Sequence, residues 1–128
     1  MDATLPTPTA RPAVLLVDDE PAFLAAICAG LATDFEIETA KTADQADLMM
    51  ATRVYDAIVC DHVMPGETGL EFLTRASTRY PRTRRILLTG YMNPELISRS
   101  VGVARLAACI VKPVHAAELA TAIRAALK

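Results

Sequence analysis

Four stretches of the chain end on residues able to do chemistry. "VDDE" puts Asp18, Asp19 and Glu20 after an apolar run, Asp61 follows "AIVC", Thr89 closes "RILLT", and Lys112 follows "ACIV". Two carboxylates brought within about 4 Å repel by roughly 4 kcal/mol at an effective dielectric near 20, so these acids need a cation among them. Three hard oxygen donors with room for water suit Mg²⁺, and Lys112 supplies a second, fixed positive charge. Taken singly, each residue has a plainer use. Asp18 and Asp19 ahead of Pro21 suit a helix cap, Asp61 ahead of a Pro–Gly pair suits a turn, Thr89 suits a bond to its own backbone, and Lys112 suits a solvated surface. The choice turns on whether one fold gathers them all.

Short apolar runs alternate with longer stretches of helical period. Residues 13–17, 35–40, 57–60, 85–89 and 108–111 read as strands. In the first intervening helix Phe23, Leu24, Ile27, Cys28 and Leu31 form one apolar stripe; in the last, Leu119, Ala122, Ile123, Ala126 and Leu127 do the same. Pro21 and Pro94 fall near helix starts, where a missing N–H costs nothing. Five successive βα units with uniformly apolar strands predict an α/β fold, a doubly wound five-stranded parallel sheet covered on both faces by right-handed crossovers. In such sheets the ligand crevice lies beyond the carboxyl ends of the strands, where the strand order reverses. All four polar groups stand at those ends. If the order is 2-1-3-4-5, Asp18 or Asp19 approaches Asp61.

Bulk properties narrow the function. The chain has 128 residues and is 52% hydrophobic, enough for one domain, expected over residues 13–128 behind a disordered Pro- and Thr-rich leader at 1–12. A net charge of -2 gives no basic field for nucleic acid, and "RTRR" at 82–85 is expected to cap a helix–strand connection. Cys28, Cys60 and Cys109 lie in apolar segments without metal-binding spacing and read as small core residues of a reducing compartment. No run has the length of a membrane span, and the start lacks a signal-peptide pattern, which together point to the cytoplasm.

The motifs "LLVDDE", "DAIVCDHVMPGETGLEFL", "ILLTGY" and "VKP" resemble, in order and spacing, those of the response-regulator receiver domains of bacterial two-component signalling, over residues 13–127. The 2-1-3-4-5 flavodoxin-like order is itself exemplified by the chemotaxis member of this family, so that order is implied by the resemblance as much as by pattern. The resemblance implies that Asp61 is the phosphoacceptor and that Asp18, Asp19, Asp61 and the Val63 backbone carbonyl hold Mg²⁺. It implies that Lys112, joined to Pro113 by a cis peptide, pairs with the phosphoryl oxygens and that Thr89 swings toward them. The partners implied are a sensor histidine kinase or phosphotransfer protein, a C-terminal effector domain or partner protein, and a second copy of the chain through the face of the fourth helix, fifth strand and fifth helix. The chemistry implied is self-directed: a switch rather than an enzyme acting on other substrates.

Two positions depart from the family pattern. Cys109 stands where an aromatic switch residue is usual, and Tyr91 follows Gly90 where its ring could stand over the site. His62, next to Asp61, is expected to point away from the pocket. A Mg²⁺-dependent phosphatase or phosphotransferase of related topology is the rival reading, but Val63 occupies the place where it needs a second acid. A flavin-binding domain would meet three repelling acids where it needs a phosphate loop.

Overall fold

The computed structural model describes residues 11–90 and 94–128. Strands and helices alternate: β1 (Ala13–Val17), α1 (Pro21–Leu31), β2 (Glu36–Ala40), α2 (Ala43–Thr52), β3 (Ala57–Asp61), α3 (Gly69–Arg79), β4 (Arg84–Thr89), α4 (Pro94–Ala104), β5 (Ala108–Val111) and α5 (Ala116–Ala126). The five strands form one parallel sheet in the order β2-β1-β3-β4-β5. This is the doubly wound α/β architecture expected from the alternation, and α1 and α4 start at Pro21 and Pro94. Most of the leader, residues 1–10, and Tyr91 lie outside the described residues.

Alternate strand residues feed two cores. Leu15, Val17, Ile58, Cys60 and Leu87 face Ala46 and Met50 of α2 and Phe72 and Leu73 of α3. On the other face Val14, Leu16, Val59, Ile86 and Leu88 meet Leu24, Ile27 and Leu31 of α1 and Leu119 and Ile123 of α5. Helices α1 and α5 approach so closely that a Cβ on Gly30 would lie 2.3 Å from the Ala116 Cβ.

The expectation of uniformly apolar strands fails at the sheet edges. The central strands β1 and β3 are buried throughout, but β2 exposes Glu36 and half-exposes Ile37, Glu38 and Thr39, and β5 is half-buried along its length. An edge strand has only one neighbour, and charge there blocks unwanted pairing. Arg53, after α2, binds Glu36 at 2.7 Å and Glu38 at 2.5 Å and guards the β2 edge. Cysteine burial also differs from the expectation: Cys60 is enclosed, whereas Cys28 and Cys109 are half-buried. Burial raises the thiol pKa of all three.

The "RTRR" segment serves helix ends, as expected: Arg85 Nη1 and the Thr83 N–H donate to the carbonyl of Tyr80, which closes α3, at 3.4 and 3.1 Å, and the segment reaches two further helices as well. Arg84 Nε donates to the Ala126 carbonyl of α5 at 2.9 Å. Arg85, 6% exposed, donates to the Ala104 carbonyl closing α4 at 2.9 Å and to the Thr83 carbonyl at 2.6 Å. A buried guanidinium is tolerable because helix-terminal carbonyls accept its protons and carry negative dipole charge.

Candidate functional site

The site is built by register. Val17 of β1 pairs with Cys60 of β3, so the next residues, Asp18 and Asp61, emerge side by side. A further backbone bond, Asp18 N–H to the Ala40 carbonyl at 3.0 Å, extends β1 one residue past its last regular pair with β2. Asp18 is 1% exposed and Asp61 6%, while Asp19 faces solvent. One carboxylate oxygen from each lies within 4.8 Å of the others.

Asp18 reconciles its two readings by dividing its oxygens. Oδ1 accepts the Glu20 backbone N–H at 2.9 Å, fixing the turn into α1, whose N-cap Glu20 has no side-chain cap bond. Oδ2 accepts from Lys112 Nζ at 2.9 Å.

Lys112 reaches Asp61 from two strands away and Asp18 from three. Its backbone N–H donates to the Thr89 carbonyl at 2.7 Å, continuing the β4–β5 pairing, and its peptide bond to Pro113 is cis. Nζ also lies 3.2 Å from Asp61 Oδ1. Thr89, 1% exposed, ends β4 one residue beyond Leu88, the register partner of Asp61. Val63 is exposed at 72% and, with Asp18, Asp19, Glu20, Pro21, Asp61 and Lys112, lines a depression of about 450 Å³.

The electrostatics follow from burial. Loss of water raises the Asp61 carboxyl pKa, the negative charge of Asp18 raises it further, and Lys112 offsets part of the rise. For Lys112 burial pulls the pKa down, but the hydrogen bond it donates to Asp18 and the fields of Asp61 and Asp18 outweigh it, and the net shift is upward. The lysine stays charged, and one ammonium faces two buried carboxylates with a third nearby. The remaining negative charge and the all-oxygen donor set fit a hard divalent cation such as Mg²⁺.

Gly69 and Arg75 shape the β3–α3 loop, a role not anticipated from the sequence. Gly69 opens α3 directly beneath the end of β3, donating its N–H to the His62 carbonyl at 2.9 Å. Thr68 and Glu71 cap the helix reciprocally, a Thr-x-x-Glu signal legible in "TGLE". Gly66 takes φ +83°, a conformation that favours glycine. Arg75 grips the loop through Glu67, at 2.9 Å from Nε and 2.6 Å from Nη2, and reaches Asp47 of α2 at 3.0 Å. Phe23, anticipated only as part of the α1 stripe, places its ring centroid 4.4 Å from Lys112 Nζ. His62 takes no part in lining the depression; its Nδ1 is buried without a hydrogen-bond partner among the described residues.

A family model described as the response regulator receiver domain matches residues 14–124. The chain belongs to that family. The receiver domain is 37% identical over 100 residues to the hydrogenase transcriptional regulatory protein HoxA of Cupriavidus necator, a match covering 78% of this chain and 21% of HoxA. It is 32% identical over 122 residues to the phosphate regulon transcriptional regulatory protein PhoB of Rhizobium meliloti, covering 91% of this chain and 52% of PhoB. The receiver thus spans about a fifth to a half of these curated relatives. Among solved structures it resembles the signal receiver domain of an HD domain-containing protein from Pseudomonas fluorescens Pf-5, with 32% identity and a TM-score of 0.85 over 91% of this chain and 94% of that one. It is a phosphoryl-accepting signal receiver, a regulatory domain, and the family implies a kinase or phosphotransfer partner. Among the described residues no helix is long and apolar enough to cross a membrane.

Proposed function

We propose that Asp61 accepts the phosphoryl group, and that Asp18, Asp19, Asp61 and the Val63 backbone carbonyl hold Mg²⁺ beside it. The observation that carries this reading is the single Lys112 ammonium within 3.2 Å of Asp61 and 2.9 Å of Asp18. Such a charge at a buried carboxylate suits a group that will receive more negative charge. The donor is the phosphohistidine of a sensor histidine kinase or phosphotransfer protein. The P–N bond breaks as the Asp61 carboxylate forms a P–O bond, leaving the histidine nitrogen to take up a proton. When bound, Mg²⁺ supplies charge neutralisation and a template for the phosphoryl oxygens.

The chain's own residues do the rest. Asp61 is the nucleophile, held by the end of β3 and the α3 start beneath it. Lys112 balances the charge added to the acceptor, and the Asp18 bond to Glu20 keeps that carboxylate facing the pocket. Thr89 then hydrogen-bonds the phosphoryl oxygens and transmits the change to the face of α4, β5 and α5, where a second copy or an effector domain would read it.

Mg²⁺ with acetyl phosphate tests the assignment by mass spectrometry. The wild type gains one phosphoryl group and Asp61→Asn gains none. Full labelling of Asp61→Asn would place the acceptor elsewhere. Asp19→Ala should bind Mg²⁺ at least about tenfold more weakly, the lower end of the cost seen when metal sites lose a supporting group.

A further inference from the structure

The Lys112 ammonium touches two carboxylates, and the Phe23 ring centroid lies on a third side at 4.4 Å. Phe23 sits in the first turn of α1 and is half-buried against the core shared by α1 and α5. Its ring therefore has two duties, packing on apolar side chains and facing a cation. A lysine has a long flexible stem and a strongly hydrated head, so an ammonium with an open side tends to swing toward water. The Lys112 side chain retains 21% exposure, which leaves such a route. An aromatic face attracts a cation through its quadrupole and excludes water from the side it covers.

We propose that Phe23 is a positioning residue for Lys112, its ring face holding the ammonium against Asp61 where the incoming phosphoryl oxygens will need it. The proposal rests on the roles given above to Asp61 and Lys112. Phe23 contacts neither the phosphoryl group nor the metal, and its effect passes through the lysine. The requirement is an aromatic face rather than apolar bulk. Leucine at this position would keep most of the core packing yet offer the ammonium no quadrupole; tryptophan would offer a stronger one.

Two measurements on the full chain separate this role from simple packing. In the unphosphorylated wild type, NMR of the Lys112 ε-methylene protons should show an upfield ring-current shift, lost in Phe23→Leu and kept in Phe23→Trp. With saturating Mg²⁺ and acetyl phosphate, Phe23→Leu should be phosphorylated roughly threefold more slowly, in line with a cation–π contact of ordinary strength, and Phe23→Trp should recover the rate. Mg²⁺ affinity should be the same in all three. The proposal is overturned if the wild type lacks the ring-current shift, or if the tryptophan variant keeps the shift but is as slow as the leucine variant. A wild type with the shift intact that takes no phosphoryl group at Asp61 overturns the proposed function itself, and the role of Phe23 in transfer with it.

Discussion

A Cβ on Gly69 would lie 2.1 Å from the carbonyl oxygen of Asp61. The first residue of α3 thus rests on the backbone of the proposed phosphoacceptor, and only a hydrogen fits between them. Gly69→Ala must displace either the helix or the strand end, with an expected loss of about 1–3 kcal/mol, the usual cost of overpacking. Gly102→Ala in α4 meets nothing within 4 Å and should gain up to about 1 kcal/mol from helix propensity. Urea denaturation of the pair checks both signs; a Gly69→Ala variant as stable as wild type would contradict the close packing.

The raised pKa of Asp61 sets a pH dependence. Burial and the Asp18 charge make the folded protein hold the Asp61 proton more readily than the unfolded chain does. The associated stability is complete below the ordinary carboxylate range and is lost as pH rises through the raised value. Asp61→Asn escapes that loss, so it should melt above the wild type near neutral pH, and the gap should close in acid below the usual carboxylate range. Thermal denaturation across pH without divalent ions tests this, and a gap independent of pH would argue against the electrostatic cause.

Arg75 of α3 ties in α2 and the β3–α3 loop through ion-paired hydrogen bonds to Asp47 and Glu67, and its side chain is 39% exposed. Arg75→Ala should cost about 1 kcal/mol or less at low ionic strength, with the difference shrinking toward zero near 1 M salt. Arg75→Lys should not restore the loss, because an ammonium cannot bind both Glu67 oxygens in the parallel fork of a guanidinium. Chemical denaturation at two salt concentrations measures both effects.

Switching should depend on Thr89 more than on Cys109. Thr89 is enclosed at the end of β4, whereas Cys109 is half-buried on β5 opposite Leu87 and packs on the α2–α3 core. Thr89→Ala should abolish most of the phosphorylation-dependent change in amide exchange over residues 90–105. Cys109→Ala should cost about 1 kcal/mol of burial and leave that response nearly intact. The opposite pattern would route the signal through β5.

Much of this architecture is legible from short-range pattern. Apolar runs of strand length ending on Asp18, Asp61, Thr89 and Lys112 locate the carboxyl ends of four strands, and parallel topology then puts those ends on one side of the sheet. The strand order itself comes from the resemblance, because nothing local tells β1 that its neighbours are β2 and β3. Edge character escapes for the same reason: Glu36 and Glu38 are compatible with either an edge or a loop until the neighbours are known. Phe23 is hidden by its own good fit to a helical stripe, since a ring that packs on the core gives no sign in sequence that its other face meets a lysine far along the chain. Gly69 is visible beside its capping signal, but the need for a missing Cβ arises only from the approach of Asp61.

The partners Asp18 and Lys112 stand 94 positions apart in the chain. During synthesis, β1 and β3 are released from the ribosome well before β5, and for that interval the clustered acids have no lysine to meet. Chains fold as they emerge, so the early sheet has to form against that repulsion or wait. Arrival of Lys112 with β5 removes the obstacle, which makes the finished charge cluster a marker of a completed sheet: a receiver truncated before β5 carries its acids without the ammonium that pairs with them.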